Sequence, residues 1–368
     1  MMPAIRSLSI ALICLIGALI PARAEESVAE VVAALGLREG PAPVREMKGW
    51  EKPKKIVVLA EGAERIAWFQ EAVKGVTLVP ARNPKEALAQ VGDADALVGF
   101  CQAEVVNAGV KLKWIHSQQA GVEDCLAVPK VRAGGMLLTN AQRLNGPNVA
   151  EHSMALLLTL TRQINVAISN QRDGIWDARP MRRVMDLDGK TMLVVGLGGV
   201  GTDLAKRANA FGMRVIATRN SSREGPPFVE RVGLANELPA MIGEADVVVN
   251  VTPLTPETIG LFNAAMFARM KPTAYFINIG RGESVNTADL MAALKSGKLA
   301  GVGMDLVDPD PLPKDHPLWR IPNVVITPHT AGNSELKADR AWVLIRENLR
   351  RYVAGEKMYS VVDIRRGY

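Results

Sequence analysis

The stretch "TMLVVGLGGVGTDLAKRANAFGMRVIATRN", Thr191 to Asn220, decides the fold. An apolar run ends in Gly196, Gly198 and Gly201, spaced G-x-G-x-x-G; an amphipathic helical period follows, then a second apolar run. Strand, glycine turn, helix and strand in that order form a dinucleotide-binding unit. The glycines permit a tight turn, and the backbone from Gly196 through Gly199, Val200 and Gly201 can approach a pyrophosphate at the positive end of the helix. The second run ends at Arg219, about 20 residues into the motif, where an NAD-selective site carries an acid for the ribose 2′-hydroxyl. This chain has none there. Its "TRNSSR" offers Arg219, Ser221, Ser222 and Arg223, donors suited to a 2′-phosphate, so the sequence predicts NADP, with NADPH preferred and NAD as the alternative.

Outward from this unit the same alternation repeats. Downstream lie "ADVVVNV", "AYFINIG", "LAGVGMDL" and "NVVIT"; upstream lie "IVVLA", "VTLVP", "ADALVGF" and "LKWIHS", separated by helical segments. Such alternation predicts an α/β chain with two Rossmann-like, doubly wound parallel sheets. Between them, "NVAEHSMALLLTLTRQINVAI" reads as one long buried helix. Residues 25–53, rich in Glu, Gly and Pro, read as a leader or linker with a short helix at Val28 to Leu35.

Composition limits the function classes. A chain of 368 residues, 48% hydrophobic, has material for about two cored domains. Its charge is +6, from 44 basic and 38 acidic residues, but the basic residues are scattered, so no nucleic-acid footprint is expected. Residues 1–24 have the layout of a secretory signal peptide: Arg6, an apolar run from Leu8 to Ile20, then Ala22-Arg23-Ala24. That run is shorter than the ~20 residues of a membrane span, so no stable span is expected. Export, to a periplasmic compartment, is the reading that follows; a cytoplasmic protein with an over-extended start, Met47 being a later candidate, is the alternative. Cys14 would leave with the signal. Cys101 and Cys125 lack metal-ligand spacing and are expected to be structural thiols, able to pair after export.

Three polar stretches follow apolar strands: "INIGRGESVN" with Arg281, "GMDLVDPDPLPKDHPLW" with Asp305, Asp308 and Asp310, and "VVITPHTAGN" with His329. In parallel sheets the loops after the strands form the ligand edge. An Arg that grips a carboxylate in fork geometry, beside a His that moves a proton near neutral pH, suits reduction of a 2-oxo acid. His116, His152 and His316 have no metal spacing and read as structural, so no metal is expected.

With these motifs, and with "QQAGVED", "NVAEHSMALLL" and "TPLTPETIGLFN", residues 55–355 resemble the D-isomer-specific 2-hydroxyacid dehydrogenase family, whose members include glyoxylate/hydroxypyruvate reductases, D-lactate dehydrogenases and phosphoglycerate dehydrogenases. The resemblance implies a hydride-transferring oxidoreductase, commonly a homodimer, acting on a small 2-oxo or D-2-hydroxy acid. It also implies the domain plan: a flavodoxin-like substrate-binding domain over 54–147, discontinuous because 331–368 complete it, and a nucleotide domain over 148–330. It implies that Arg281 binds the substrate carboxylate and carbonyl oxygen, that His329 protonates that oxygen, and that Ala120, Gly121 and Val122 form the substrate-carboxylate loop. Thr252, Pro253 and Thr258 would contact the cofactor, and Asp305 would hold the nicotinamide carboxamide. Asp310 stands where the family has a Glu paired with the catalytic His, one methylene shorter; an anion there favours the imidazolium. Asp308 reads as solvated. Formate dehydrogenase, whose His partner is an amide, fits less well. A non-catalytic dinucleotide sensor on the same scaffold is the alternative from another class.

Overall fold

The computed structural model describes residues 26–60, 62–182 and 184–367; the expected signal peptide lies outside them. The Val/Ile/Leu runs form short strands buried on both faces, as parallel sheets covered by helices require. Five belong to the first sheet: β1 (Lys55–Leu59), β2 (Thr77–Ala81), β3 (Ala96–Val98), β4 (Trp114–His116) and β5 (Leu137–Thr139), in the order β2-β1-β3-β4-β5. Seven form the second: β6 (Thr191–Val195), β7 (Arg214–Arg219), β8 (Arg231–Leu234), β9 (Val247–Asn250), β10 (Tyr275–Asn278), β11 (Gly301–Met304) and β12 (Val324–Ile326), in the order β12-β11-β10-β9-β6-β7-β8. Every pairing is parallel. The fold class is as the sequence predicts.

Two segments differ from expectation. The long helix between the sheets is two helices, Gly146–Thr161 and Ile164–Arg172, separated where Gln163 turns left-handed with φ of 55°. The first buries Val149, Ala150, Met154, Leu156, Leu157 and Leu160 against the second sheet, whereas the second buries none of its residues. The segment expected as a linker is built into the body. Its Val28–Leu35 helix starts from a capping box between Ser27 and Glu30, and Val31, Leu35 and Leu37 pack with Ala141, Leu144, Val343 and Leu344. Glu26 adds a two-pronged ion pair to Arg340.

The C-terminal helix, Lys337–Ala354, returns to the first sheet, where Tyr352 lies 4.8 Å from the Trp114 ring and Ile345 and Leu349 join the core. A disulfide joins Cys101, after β3, to Cys125, 24 residues on, and so closes the chain around β4 and the Ala120–Val122 loop.

Candidate active site

The glycine turn has the shape its motif requires. Gly196 has φ of 108°, a Cβ on Gly201 would overlap the Gly196 carbonyl oxygen, and Gly198 faces open space with nothing within 4 Å of a Cβ built there. Backbone packs tightly on one side of the turn and leaves a cradle on the other, at the N-terminus of the Gly199–Ala210 helix. A dinucleotide pyrophosphate fits that cradle.

Downstream loops are held by asparagines that end their strands. Asn250 Nδ2 donates to Asn278 Oδ1 at 2.8 Å and to Ser284 Oγ at 2.7 Å, while Asn278 Nδ2 donates to the carbonyls of Arg281 and Leu306. The Arg281 backbone is thereby fixed on both neighbours. Gly282 lets it approach so closely that a Cβ there would overlap the Val307 carbonyl. The Arg281 guanidinium lies against the Ala120–Val122 loop: a Cβ on Gly121 would overlap both Arg281 Nη2 and Glu123 Oε2. Arg281 Nε donates to Glu123 Oε1 at 3.1 Å and Nη1 to the Gly280 carbonyl at 2.9 Å.

β11 and β12 deliver the aspartates and His329. Buried Asp305 accepts from Thr327 Oγ1 at 2.6 Å and from the N–H groups of Thr330 and Ala331 at 2.9 and 3.0 Å. Both of its oxygens therefore brace the loop that carries His329. His152 Nε2, from the Gly146–Thr161 helix, meets Thr327 Oγ1 at 2.7 Å. His329 holds φ of 55° and donates its N–H to the carbonyls of Asp305 and Thr327, and its Nδ1 lies 2.8 Å from Asp310 Oδ2. The shorter side chain does reach. Asp308 is exposed, and no hydrogen bond to its carboxylate occurs among the described residues.

Other expected contacts are placed differently. Thr258 Oγ1 donates to the Pro253 carbonyl at 2.7 Å and accepts from Thr255 N–H at 2.8 Å, so its hydroxyl closes its own turn. Thr252 is buried with its hydroxyl on Asn250 Oδ1. Arg219 donates to the Glu224 carbonyl at 3.1 Å, and Arg223 is ion-paired with Glu237 at 2.6 Å. Glu151 pairs with Arg207 across two helices. His116 is buried with Nδ1 2.8 Å from Thr139 Oγ1, and burial pushes its pKa down to about 3. His316 Nδ1 accepts from the Leu318 N–H. Among the described residues no cluster of His, Cys, Asp and Glu has the makings of a metal site, and no helix is long and apolar enough to cross a membrane.

Sequence reasoning missed Glu123, Asn250, Asn278, Ser284 and Thr327. The asparagines had a signal: each is the polar last residue of an otherwise apolar strand. Glu123 had none, since its partner lies 158 residues away.

A family model described as D-isomer specific 2-hydroxyacid dehydrogenase, NAD binding domain, matches residues 154–331. A glyoxylate reductase of Korarchaeum cryptofilum is 34% identical over 289 residues, 76% of this chain and 86% of that protein. The glyoxylate reductase/hydroxypyruvate reductase of Homo sapiens is 33% identical over 259 residues, 70% of this chain and 79% of that one. Among solved structures, the NADPH-dependent glyoxylate/hydroxypyruvate reductase of Sinorhizobium meliloti, in complex with NADP and sulfate, aligns with a TM-score of 0.72 at 28% identity, covering 86% of this chain and 100% of the other. The chain belongs to the D-isomer-specific 2-hydroxyacid dehydrogenase family of NAD(P)-dependent oxidoreductases.

Proposed function

We propose that the protein reduces a small 2-oxo acid of the glyoxylate or hydroxypyruvate class with NADPH, and oxidises the corresponding D-2-hydroxy acid in reverse. The carrying observation is the Arg281 guanidinium against Gly121, on the sheet edge that also presents His329 with Asp310 on its Nδ1. The substrate carboxylate would sit on the Ala120–Gly121–Val122 backbone and the Arg281 fork, which also polarises the carbonyl oxygen. With Nδ1 occupied by Asp310, His329 keeps Nε2 for the proton that oxygen takes up. The bound cofactor supplies the hydride to C2. Asp305 acts mainly by fixing the loop of His329. The absence of an acid at Arg219, and the NADP in the Sinorhizobium structure, support NADPH over NADH.

The test is NADPH oxidation with glyoxylate, hydroxypyruvate, pyruvate and bulkier 2-oxo acids. One of the first two should turn over fastest. Tight NADPH binding without turnover of any acid would instead support the dinucleotide-sensor reading.

Two further properties belong to this proposal. The protein is a homodimer joined through Ile164, Ile168, Ile175, Trp176 and Val184, which are exposed together after the Gly146–Thr161 helix, Trp176 fully so. Several large exposed apolar residues in one stretch of chain, 164–184, are what an interface would cover. The protein is exported with its signal removed: the Cys101–Cys125 disulfide suits an oxidising compartment. The packing of Val31, Leu35 and Val44 into cores counts against a start at Met47.

A further inference from the structure

His329 is exposed, and its φ of 55° is a backbone conformation that side chains avoid. A left-handed residue other than glycine persists only where its surroundings over-determine it. Part of that hold is Asp305, which takes the N–H groups of Thr330 and Ala331. The rest comes from the Gly146–Thr161 helix, on which Asn148 and His152 stand four residues apart and so share one face. Asn148 Nδ2 donates to the carbonyls of Ala331 and Asn333 at 2.9 and 3.2 Å, gripping the chain after His329. His152 Nε2 lies 2.7 Å from Thr327 Oγ1, gripping the chain before it. The direction of this second bond follows from its neighbour. Thr327 has one hydroxyl proton and gives it to Asp305 Oδ1 at 2.6 Å, which leaves the hydroxyl oxygen to accept from His152. His152, Thr327 and Asp305 thus form a chain with every donor pointing the same way, ending on a buried carboxylate. Ala331, in the middle of the gripped segment, is buried in the same apolar cluster as Val149, Ala150 and Met154 of that helix.

We propose that His152 and Asn148 are positioning residues for the proton transfer: fastened on either side of His329, they hold its backbone left-handed and its Nε2 toward the substrate carbonyl oxygen. The inference rests on the 2-oxo acid reduction proposed above and adds what sets the geometry of its proton donor. Arg281 is fixed by a separate set of bonds, through Asn250, Asn278 and Ser284, and none of these involves the helix. Loss of either grip therefore acts on kcat and leaves substrate and cofactor binding nearly as they were. Both side chains are only partly buried, so truncating them does not hollow the core.

The test compares full-length wild type with His152→Leu, His152→Gln and Asn148→Ala, well below their melting temperatures. It measures steady-state reduction of the best 2-oxo acid, calorimetric NADPH binding and amide hydrogen exchange along the chain. His152→Leu and Asn148→Ala should lower kcat at least about tenfold, with KM for the acid and NADPH affinity within about threefold. Exchange in peptides covering 327–333 should quicken at least about tenfold, while peptides covering 278–284 keep wild-type rates. His152→Gln, whose amide can still donate to the Thr327 hydroxyl, should recover most of both losses. A kcat within about threefold of wild type in either truncation overturns the inference, as does a Gln variant no better than the Leu variant. Equal losses in kcat, KM and NADPH affinity also overturn it, because the two residues would then support the fold at large. A wild type that turns over no 2-oxo acid ends the proposed function, and exchange then decides alone: unchanged rates over 327–333 in His152→Leu overturn the positioning role.

Discussion

Asp310 Oδ2 stands 2.8 Å from Nδ1 of His329, and the loop bearing that histidine is tied through its neighbours Thr330 and Ala331 to the buried carboxylate of Asp305. The two aspartates divide the work: one fixes the loop, the other sets the ring. Asp310→Asn should lower kcat/KM for reduction by tenfold or more, because the carboxylate that holds Nδ1 and orients the ring is lost. Asp310→Glu should stay within about threefold of wild type, since both partners are half exposed and leave room for a methylene. Asp308→Asn should leave kcat/KM unmoved. A loss in the Asp308 variant alone would transfer the role to that residue.

Arg281 is held by Glu123 where a substrate carboxylate would bind. This pair is partly exposed and contributes little to stability, about 1 kcal/mol or less, but it competes with substrate for the same donors. Glu123→Gln should therefore lower KM for the 2-oxo acid several-fold with little change in kcat. Arg281→Lys should cost at least about a hundredfold in kcat/KM, because an ammonium keeps the charge and loses the fork. A raised KM in Glu123→Gln would show that the glutamate positions Arg281 instead of competing for it.

Much of this was legible in the chain. The ten strands marked by apolar runs are all present, because Val/Ile/Leu-rich segments bounded by turns have few other ways to be buried. β5 and β8 escaped notice: "LLT" and "RVGL" are short, and each lies at one end of its sheet. Asp305 could be located but not its partners, since hydrogen bonds to Thr330 and Ala331 are set by how the loop folds back. Glu123 was invisible for the same reason; its partner Arg281 comes from a distant segment. The N-terminal segment misled because its helix has only Val31 and Leu35 buried, too little periodicity to announce a packed face.

The Cys101–Cys125 bond spans the segment carrying the Ala120–Val122 loop. A closed loop of that length stabilises by about 3 kcal/mol in the chain-entropy account. Cys101→Ser with Cys125→Ser should lower the melting temperature by several degrees, and a reducing agent should do the same to wild type and nothing to the double variant. Equal melting with and without reductant in wild type would mean the bond does not form in solution.

Among the described residues Trp176 is the most exposed large apolar one, with Ile175 beside it and Ile164 and Ile168 on the preceding helix. Trp176→Glu places a charge in the proposed interface and should convert the dimer to monomer, or raise its dissociation constant at least a hundredfold, in sedimentation velocity. A wild-type protein that sediments as a monomer at micromolar concentration would remove the proposal.

His116 sits at the end of β4, buried, with its ring on the Thr139 hydroxyl. Burial lowers its pKa from the ordinary 6.5 to about 3. Between those limits the unfolded chain binds a proton that the native state refuses, so stability is present in full above pH ~6.5 and falls as pH drops through the window. Each pH unit costs about 1.4 kcal/mol from this one group. His116→Asn keeps a polar partner for Thr139 and has no titration in this range, so its unfolding free energy should fall less steeply between pH 6.5 and 4.5 than that of wild type, even if its stability at pH 7 is lower. Denaturant unfolding at four pH values across that interval gives both slopes. Parallel lines would show that the ring titrates in the native state as it does in the unfolded chain, and that its burial is not what makes the fold acid-sensitive.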